Sequence, residues 1–162
     1  MSAPPLPSPD FAVRPARVDD HATIVDFNRR LARESEGKEL DPLTITRGVE
    51  VVLRDPRLGR YFVATGADGT LVGQMMFTEE WSDWRNGMIW WLQSVYVAEA
   101  ARGQGVFTLL LNKVAALARE SSVIGLRLYV EGHNGRALAT YKKHGFADSG
   151  YLVMERIPLG EP

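Results

Sequence analysis

One stretch, Leu92 to Leu111 (LQSVYVAEAARGQGVFTLLL), constrains the fold more than any other part of the sequence. The residues from Trp90 to Val97 are rich in valine and tyrosine, which predicts a buried β-strand. Apolar residues then recur at helical spacing from Val106 to Ser121, which predicts an amphipathic helix. The turn Arg102–Gly105 (RGQG) joins the two. The stretch therefore predicts a strand, a glycine-containing turn and a helix in direct succession.

A turn of this kind is suited to binding an anion. The first N–H groups of a helix have no partner within it, and the helix macrodipole places partial positive charge there. Gly103 and Gly105 allow the main chain to approach a phosphate closely, and Arg102 adds a positive charge. An ordinary tight loop is the alternative interpretation, and the turn alone does not decide between the two.

A second pattern follows downstream. A strand predicted from Leu126 to Val130 leads through Glu131-Gly132-His133-Asn134 into a predicted helix, Arg136 to His144, which ends at Gly145-Phe146. Asn134, Ala137 and Tyr141 are spaced by three and then four residues, so they share one face of that helix.

Together and in this order, the two patterns resemble the GNAT superfamily of N-acetyltransferases. The family's phosphate-binding motif is Arg/Gln-x-x-Gly-x-Gly/Ala, which Arg102 to Phe107 match except that Phe107 replaces the small last residue. The second family motif, Asn-x-x-Ala-x-x-x-Tyr-x-x-x-Gly-Phe, matches Asn134 to Phe146 without departure. The resemblance implies an α/β (α+β), single-domain GNAT-like fold, in which a mixed central β-sheet is flanked by helices on both faces.

The remaining sequence is typical of such a domain, with the order strand, two helices, three strands, helix, strand, helix, strand. Asp19 or Asp20 is the expected cap of the first helix, and Asp41-Pro42 places a cap and a proline at the start of the second. Ala67-Asp68-Gly69 is a hairpin signal. A polar connection that carries two tryptophans is predicted from Glu79 to Gly87. The other expected elements are strands at 11–14, 60–65, 71–78 and 151–157, and helices at about 20–34 and 42–53.

The resemblance implies transfer of an acetyl group from acetyl-CoA to a primary amine of a small molecule, peptide or protein. The turn would hold the pyrophosphate, main-chain groups of the central strand would polarise the thioester carbonyl, and Tyr141 would protonate the departing thiolate. Asn134 acting only as a helix cap, and Tyr141 packing in the core, are the alternatives. The residues implied in cofactor binding are Val95, Tyr96, Val97, Arg102, Gly103, Gln104, Gly105, Val106, Phe107, Asn134 and Tyr141.

The general base is the least determined part of the chemistry. Many relatives carry a glutamate on the central strand, but the matching position here is Gln93, and a neutral amide cannot accept a proton at neutral pH. Glu79 and Glu80 are therefore the predicted catalytic carboxylates, with Asp83 as a further candidate, acting directly or through water. A solvated turn with capping carboxylates is the alternative for each of them.

Composition excludes several other classes of site. The net charge of −1 gives no support for nucleic-acid binding, which usually needs a concentrated basic surface, and the sequence contains no cysteine for disulfides or thiolate chemistry. Three scattered histidines do not predict a metal site, and no apolar run reaches membrane-spanning length. We therefore expect a cytoplasmic enzyme with acetyl-CoA as cosubstrate, an amine acceptor and no metal, nucleic acid or membrane partner. A homodimer is left open.

The expected organisation is a proline-rich disordered tail at residues 1–10, a GNAT domain at 11–157 and a C-terminal tail at 158–162. The sequence does not favour a dinucleotide-binding half-domain, because Thr108 replaces the third glycine of that fingerprint and too little chain follows for the remaining parallel strands. A GNAT-like module that binds acyl-CoA as a sensor, without turnover, is the alternative function. Gln93 favours the sensor and Tyr141 argues against it.

Overall fold

The computed structural model describes residues 10–159. The strands are β1 (Ala12–Pro15), β2 (Arg60–Thr65), β3 (Leu71–Ser82), β4 (Gly87–Val97) and β5 (Gly125–Leu128), and the helices are α1 (His21–Glu36), α2 (Pro42–Arg54), α3 (Val106–Glu120) and α4 (Gly135–Lys143). The five strands form one sheet in the order β1-β2-β3-β4-β5, with antiparallel neighbours except for the parallel pair β4 and β5. The chain divides into two compact units, the first ending at Leu128 and the second beginning at Tyr129.

Helices cover both faces of the sheet in the first unit. Tyr61 and Val63 of β2 pack with Ile24 of α1 and Val49 of α2 on one face. On the other face Gly73 of β3 lies under α3, so close that an added Cβ would stand 3.0 Å from a side-chain carbon of Val106. The predicted mixed sheet with helices on both faces is confirmed.

The first two helices form as their ends predict, with one difference. Asp41 caps α2, since its carboxylate accepts a hydrogen bond from the Thr44 N–H at 2.8 Å. Asp20 is the N-cap residue of α1, as predicted, but its side chain makes no capping hydrogen bond to that helix. The Asp20 carboxylate instead pairs with the Arg14 guanidinium at 2.7 Å and accepts from the Arg17 N–H at 2.7 Å. It therefore links the end of β1 to the start of the helix.

The β3–β4 hairpin is longer than the sequence predicted. Strand β3 continues to Ser82 and β4 begins at Gly87, so the connection consists of residues 83–86 alone. The predicted polar connection from Glu79 to Gly87 is therefore wrong over most of its length. The charged residues of this segment suggested an exposed loop. In the structure the half-buried Glu80 accepts hydrogen bonds from Trp91 of β4 and Arg127 of β5, which lie far away in sequence.

The strand predicted from Tyr151 to Ile157 is also wrong. The segment has no strand pairing with any described residue, and Leu152 and Met154 are each 90% exposed. Its β-forming residues favour a strand only when a neighbouring edge supplies hydrogen bonds.

Residues outside 10–159 are not described, which includes nearly all of the predicted N-terminal tail and the end of the C-terminal tail. Among the described helices, none is long and apolar enough to cross a membrane.

Candidate active site

A β-bulge interrupts β4 close to its C-terminal end. Gln74 of β3 faces Tyr96 and Met76 faces Gln93, so Ser94 and Val95 together oppose one residue of β3. The backbone at Ser94 has φ of 50°, in the left-handed region that a non-glycine residue seldom adopts. The bulge therefore changes the direction of the main chain at the position where the thioester was predicted to bind.

Strand β5 accompanies β4 only as far as Leu92, which pairs with Leu128. The predicted cofactor groups at Val95, Tyr96 and Val97 lie beyond the end of this ladder. One of them is already engaged, because the Val97 carbonyl accepts a hydrogen bond from Arg102 Nε at 2.9 Å. The edge of β4 next to the bulge is thus not occupied by β5.

The turn before α3 has the geometry expected of an anion-binding turn. Gly103 and Gly105 have φ of 73° and 84°, and an added Cβ at Gly103 would meet no atom within 4 Å. Gly105 is the N-cap of α3 and offers no side chain to the first N–H groups of that helix. These groups and the open main chain fit a pyrophosphate.

Three further residues of this turn have defined places. Gln104 folds back and donates from its side-chain amide to the Ala100 carbonyl at 2.8 Å. Val106 is the first residue of α3 and its side chain is buried against Gly73, so only its main chain is available to a ligand. Phe107, which departs from the family motif, lies half-buried in the first turn of α3. The turn therefore offers main chain, rather than these side chains, to an anion.

Arg102 is tied to α1 and β4. Its guanidinium donates to the Glu34 carboxylate and lies 5.4 Å from the centre of the Tyr96 ring, while the Tyr96 hydroxyl donates to the same carboxylate at 2.9 Å. Glu34 thus neutralises much of the charge that the sequence assigned to phosphate binding. The side chain of Arg102 instead fixes the turn against the end of the central strand.

The contacts among Arg102, Glu34 and Tyr96 shift the pKa values of the carboxyl and the phenol in opposite directions. Burial alone would raise the pKa of Glu34, but hydrogen bonds from Arg102 and Tyr96 outweigh it and hold the pKa below its usual value. Burial raises the pKa of the Tyr96 phenol, and its hydrogen bond to Glu34 adds to the rise. Glu34 is therefore a carboxylate, and Tyr96 a protonated donor, at neutral pH.

Glu80 belongs to a second cluster on the sheet. It accepts hydrogen bonds from the Trp91 indole and from the Arg127 guanidinium, the latter at 3.0 Å. The bond from Trp91 is the largest cause of a lowered pKa, burial opposes it, and the pairing with Arg127 adds to the lowering. A carboxylate held in this way is a weak proton acceptor.

Glu79 and Glu80 cannot serve the same site, because successive strand residues point to opposite faces of a sheet. Glu80 shares its face with Gln93, whose amide donates to the Thr78 hydroxyl at 2.6 Å. The residue opposite Glu80 is Ile89, about 20 Å along β4 from Val95 at strand spacing. Glu80 could therefore act on an amine near the bulge only through a chain of water molecules, or on an acceptor molecule long enough to reach it.

Asp83 has a structural place in the hairpin turn. Its carboxylate accepts a hydrogen bond from the Trp84 N–H at 2.9 Å, and its carbonyl accepts from the Asn86 N–H at 3.2 Å. These bonds support the interpretation of Asp83 as a capping carboxylate.

In the second unit, the Asn134–Phe146 motif defines helix α4. The Asn134 side chain caps the helix by accepting from the Ala137 N–H at 3.1 Å. At the other end Gly145 has φ of 86°, and the N–H of Phe146 returns to the Tyr141 carbonyl at 3.1 Å, which is a Schellman ending. The rings of Tyr141 and Phe146 meet edge to face at 5.9 Å. Burial raises the pKa of the Tyr141 phenol.

The sequence analysis missed Glu34 and the buried polar residues Asn28 and Gln74. Glu34 stands 68 residues from its partner Arg102, and Gln74 stands 46 residues from Asn28 and 20 from Ser94. No local pattern connects residues so far apart. The one available signal was a polar residue, Gln74, within the otherwise apolar stretch Leu71–Phe77.

Away from the predicted site residues, the described chain has a cavity of about 300 Å³ between the ends of α2, α3 and β2, and its walls contain none of those residues. Among residues 10–159 no group of three histidine, aspartate or glutamate side chains is placed to hold a metal ion.

The fold, together with the succession of strand, bulge, glycine turn and helix, is the arrangement expected of an acetyltransferase domain of the GNAT type. The sequence profile of the Acetyltransferase (GNAT) family matches residues 22–146, and the chain belongs to that family. The similarity covers both units of the chain.

Individual relatives agree with this assignment. A solved structure from Clostridium difficile 630, described as a possible acetyltransferase, is 43% identical, covers 91% of this chain and 97% of its own, and has a TM-score of 0.83. A structure from Clostridium acetobutylicum, described as a predicted acetyltransferase with acetyl-CoA, shares the fold at a TM-score of 0.75 and 19% identity, covering 94% of this chain and 99% of its own.

Among curated proteins, streptothricin acetyltransferase of Streptomyces lavendulae is 35% identical over 91 residues, which are 56% of this chain and 46% of that protein. The chain spans less than half the length of the curated relatives it matches, between 21% and 46%. Their individual activities therefore belong to those proteins.

Proposed function

We propose that this protein is an N-acetyltransferase that transfers an acetyl group from acetyl-CoA to a primary amine. The observation that carries the proposal is the succession of the β4 bulge at Ser94, the positive-φ turn at Gly103 and Gly105, and the N-terminus of α3. Acetyl-CoA would supply an activated acetyl thioester. The protein would supply binding, orientation and proton transfer.

Cofactor binding would use main chain more than side chains. The N–H groups from Gly103 to Phe107 would hold the pyrophosphate, and those from Val95 to Val97 would donate to the thioester oxygen, where negative charge develops during attack. Arg102, paired with Glu34, would fix the turn against the strand end.

Proton transfers complete the reaction. The amine must lose one proton before it attacks the carbonyl carbon; a C–N bond then forms, the C–S bond breaks, and the same nitrogen loses a second proton to become an amide. Tyr141 would give its phenolic proton to the departing thiolate and regain one released from the nitrogen through solvent. The raised pKa of Tyr141 keeps that proton in place at neutral pH. One carboxylate of Glu79 or Glu80 would promote deprotonation of the amine through water.

A matched pair of glycine variants tests the cofactor site. Gly103→Asp places a negative charge in the turn, whereas Gly69→Asp makes the same change in the β2–β3 hairpin. Both glycines have positive φ, 73° and 82°, and an added Cβ at either would meet no atom within 4 Å. The backbone strain of the two variants is therefore similar.

Calorimetric titration with acetyl-CoA should show weaker binding of Gly103→Asp, by at least about tenfold, and wild-type binding of Gly69→Asp. Equal affinities in the two folded variants would place the cofactor elsewhere.

The acceptor should be sought with a panel of primary amines and peptides that includes streptothricin, the substrate named for one relative. The exposed carboxylate of Glu79 would favour a cationic acceptor. Acetylation of any amine at a rate above that without enzyme supports the proposal. The cytoplasmic location and the homodimer stay predictions.

A sensor that binds acyl-CoA without turnover is the second candidate. It is favoured by Gln93, whose amide is held by Thr78 where many relatives carry a glutamate. Tight binding of acetyl-CoA with no acetylation across the whole panel would support the sensor.

A further inference from the structure

A buried glutamine touches the bulge from behind. Gln74 of β3 is 0% exposed, and its side-chain Nε2 donates to the Ser94 carbonyl at 3.1 Å and to Asn28 Oδ1 at 3.3 Å. Among the described residues its Oε1 has no hydrogen-bond partner. Two acceptors facing Nε2 fix the orientation of the amide, because a flipped amide would set oxygen against oxygen.

Asn28 anchors this glutamine to α1. The Asn28 amide nitrogen donates to the Ile24 carbonyl of the same helix at 3.1 Å and to the Tyr61 hydroxyl at 3.2 Å. Its oxygen is thereby turned toward Gln74. We call Asn28, Tyr61, Gln74 and Ser94 the bulge network.

Ser94 needs such support. A non-glycine residue at positive φ stores strain and keeps that conformation only where its surroundings hold it. The bulge network holds Ser94 through its carbonyl, which accepts a hydrogen bond from Gln74. Asn28 of α1 contacts both Tyr61 of β2 and Gln74 of β3, so the network connects α1 to the change of direction in β4.

We infer that Gln74 is a positioning residue for acetyl transfer. By holding the Ser94 carbonyl it fixes the peptide planes that follow, so that the N–H groups from Val95 onward point to the place of the thioester oxygen. The inference rests on the proposed function. It adds to that function a buried side chain that touches neither cofactor nor acceptor.

Gln74→Met tests the inference, because methionine keeps the length of the side chain and removes its amide. Loss of positioning should lower kcat about 10- to 100-fold, while the affinity for CoA, which has no thioester, stays within about twofold. A second variant should rescue the first. Adding Ser94→Gly should restore part of kcat, because glycine adopts positive φ without strain.

The control is Val114→Ala on α3, which shortens a fully buried side chain outside the bulge network. It should lower the thermal midpoint and leave kcat unchanged. If Gln74→Met behaves like Val114→Ala, Gln74 only stabilises the fold and the inference is wrong.

A measurement on the free protein keeps this test separate from the proposed function. In wild type and Gln74→Met, NMR amide shifts and hydrogen exchange of residues 94–97 should differ if Gln74 holds the bulge. Unchanged shifts would overturn the inference even if Gln74→Met does not yield enough active enzyme. An inactive wild type with altered shifts in the variant would reject acetyl transfer and leave the bulge network standing.

Discussion

The hydroxyl of Tyr141 has properties that suit a proton donor. Burial raises the pKa of the phenol, so it keeps its proton throughout the neutral range, and the ring is held by its edge contact with Phe146. A thiolate leaving group is a far stronger base than the carbonyl oxygens that a buried tyrosine usually meets. The side chain that packs α4 therefore also offers an acid.

Tyr141→Phe should lower turnover by about 10²–10⁴-fold where chemistry limits the rate, because it removes the donor and keeps the ring. Affinity for acetyl-CoA should change little, and thermal melts should show a folded protein. Tyr151→Phe, at an exposed tyrosine of the same unit, is the control and should be silent. Full turnover by Tyr141→Phe would leave Tyr141 a packing residue.

The strand conformation of β3 limits how its acidic residues can act. Successive side chains of a strand point to opposite faces of the sheet, so Glu79 and Glu80 lie on different faces. Sequence alone shows two adjacent carboxylates, and only the strand assignment of Glu79 to Ser82 separates them.

We therefore expect at most one of Glu79→Ala and Glu80→Ala to change the pH–rate profile. That variant should lose activity mainly at lower pH, where more of the amine acceptor is protonated and needs a base. Asp83→Ala, which removes the cap of the hairpin turn, should alter stability alone. The measurement is kcat/KM against pH for the three variants, and equal changes in the first two would contradict a single base.

The pairing of Glu80 with Arg127 links β3 to β5 across β4. The hydrogen bond from Trp91, and after it this pairing, hold the pKa of Glu80 in the folded chain below its ordinary value of 4.5, so the two interactions stabilise the fold at pH values above 4.5. That stabilisation is lost as the pH falls through the lowered value. Both side chains are partly exposed, which limits it to about 1 kcal/mol at most.

Glu80→Gln should accordingly lower the free energy of unfolding at pH 7 and converge with wild type in acid, as followed by chemical denaturation at several pH values. Glu50→Gln, at an exposed ion pair with Arg54 on α2, serves as the control and should show less effect. A difference for Glu80→Gln that persists unchanged into acid would rule out the ion pair as its source.

For the molecule as a whole, the sequence predicted what is local. The strand, turn and helix around Arg102–Gly105 and the ends of α4 were predictable because glycines, caps and apolar spacing specify them within a few residues. The contacts of Glu34 with Arg102, and of Gln74 with Ser94, were not, since folding brings them together from distant segments. Tyr151–Ile157 was predicted wrongly because a strand depends on its neighbour.

The length of helix α4 is fixed by hydrogen bonds at both of its ends. Asn134 closes one end and the Phe146 return to Tyr141 closes the other, so neither end can lengthen or unwind by a residue without losing hydrogen bonds. Seven residues separate Asn134 from Tyr141, which at helical rise is about 10 Å and nearly two full turns. One inserted residue would rotate Tyr141 by about 100° around the axis relative to Asn134. The distance and angle between cap and phenol are therefore set by the number of residues between them, so an insertion or deletion in this helix would move Tyr141 relative to Asn134.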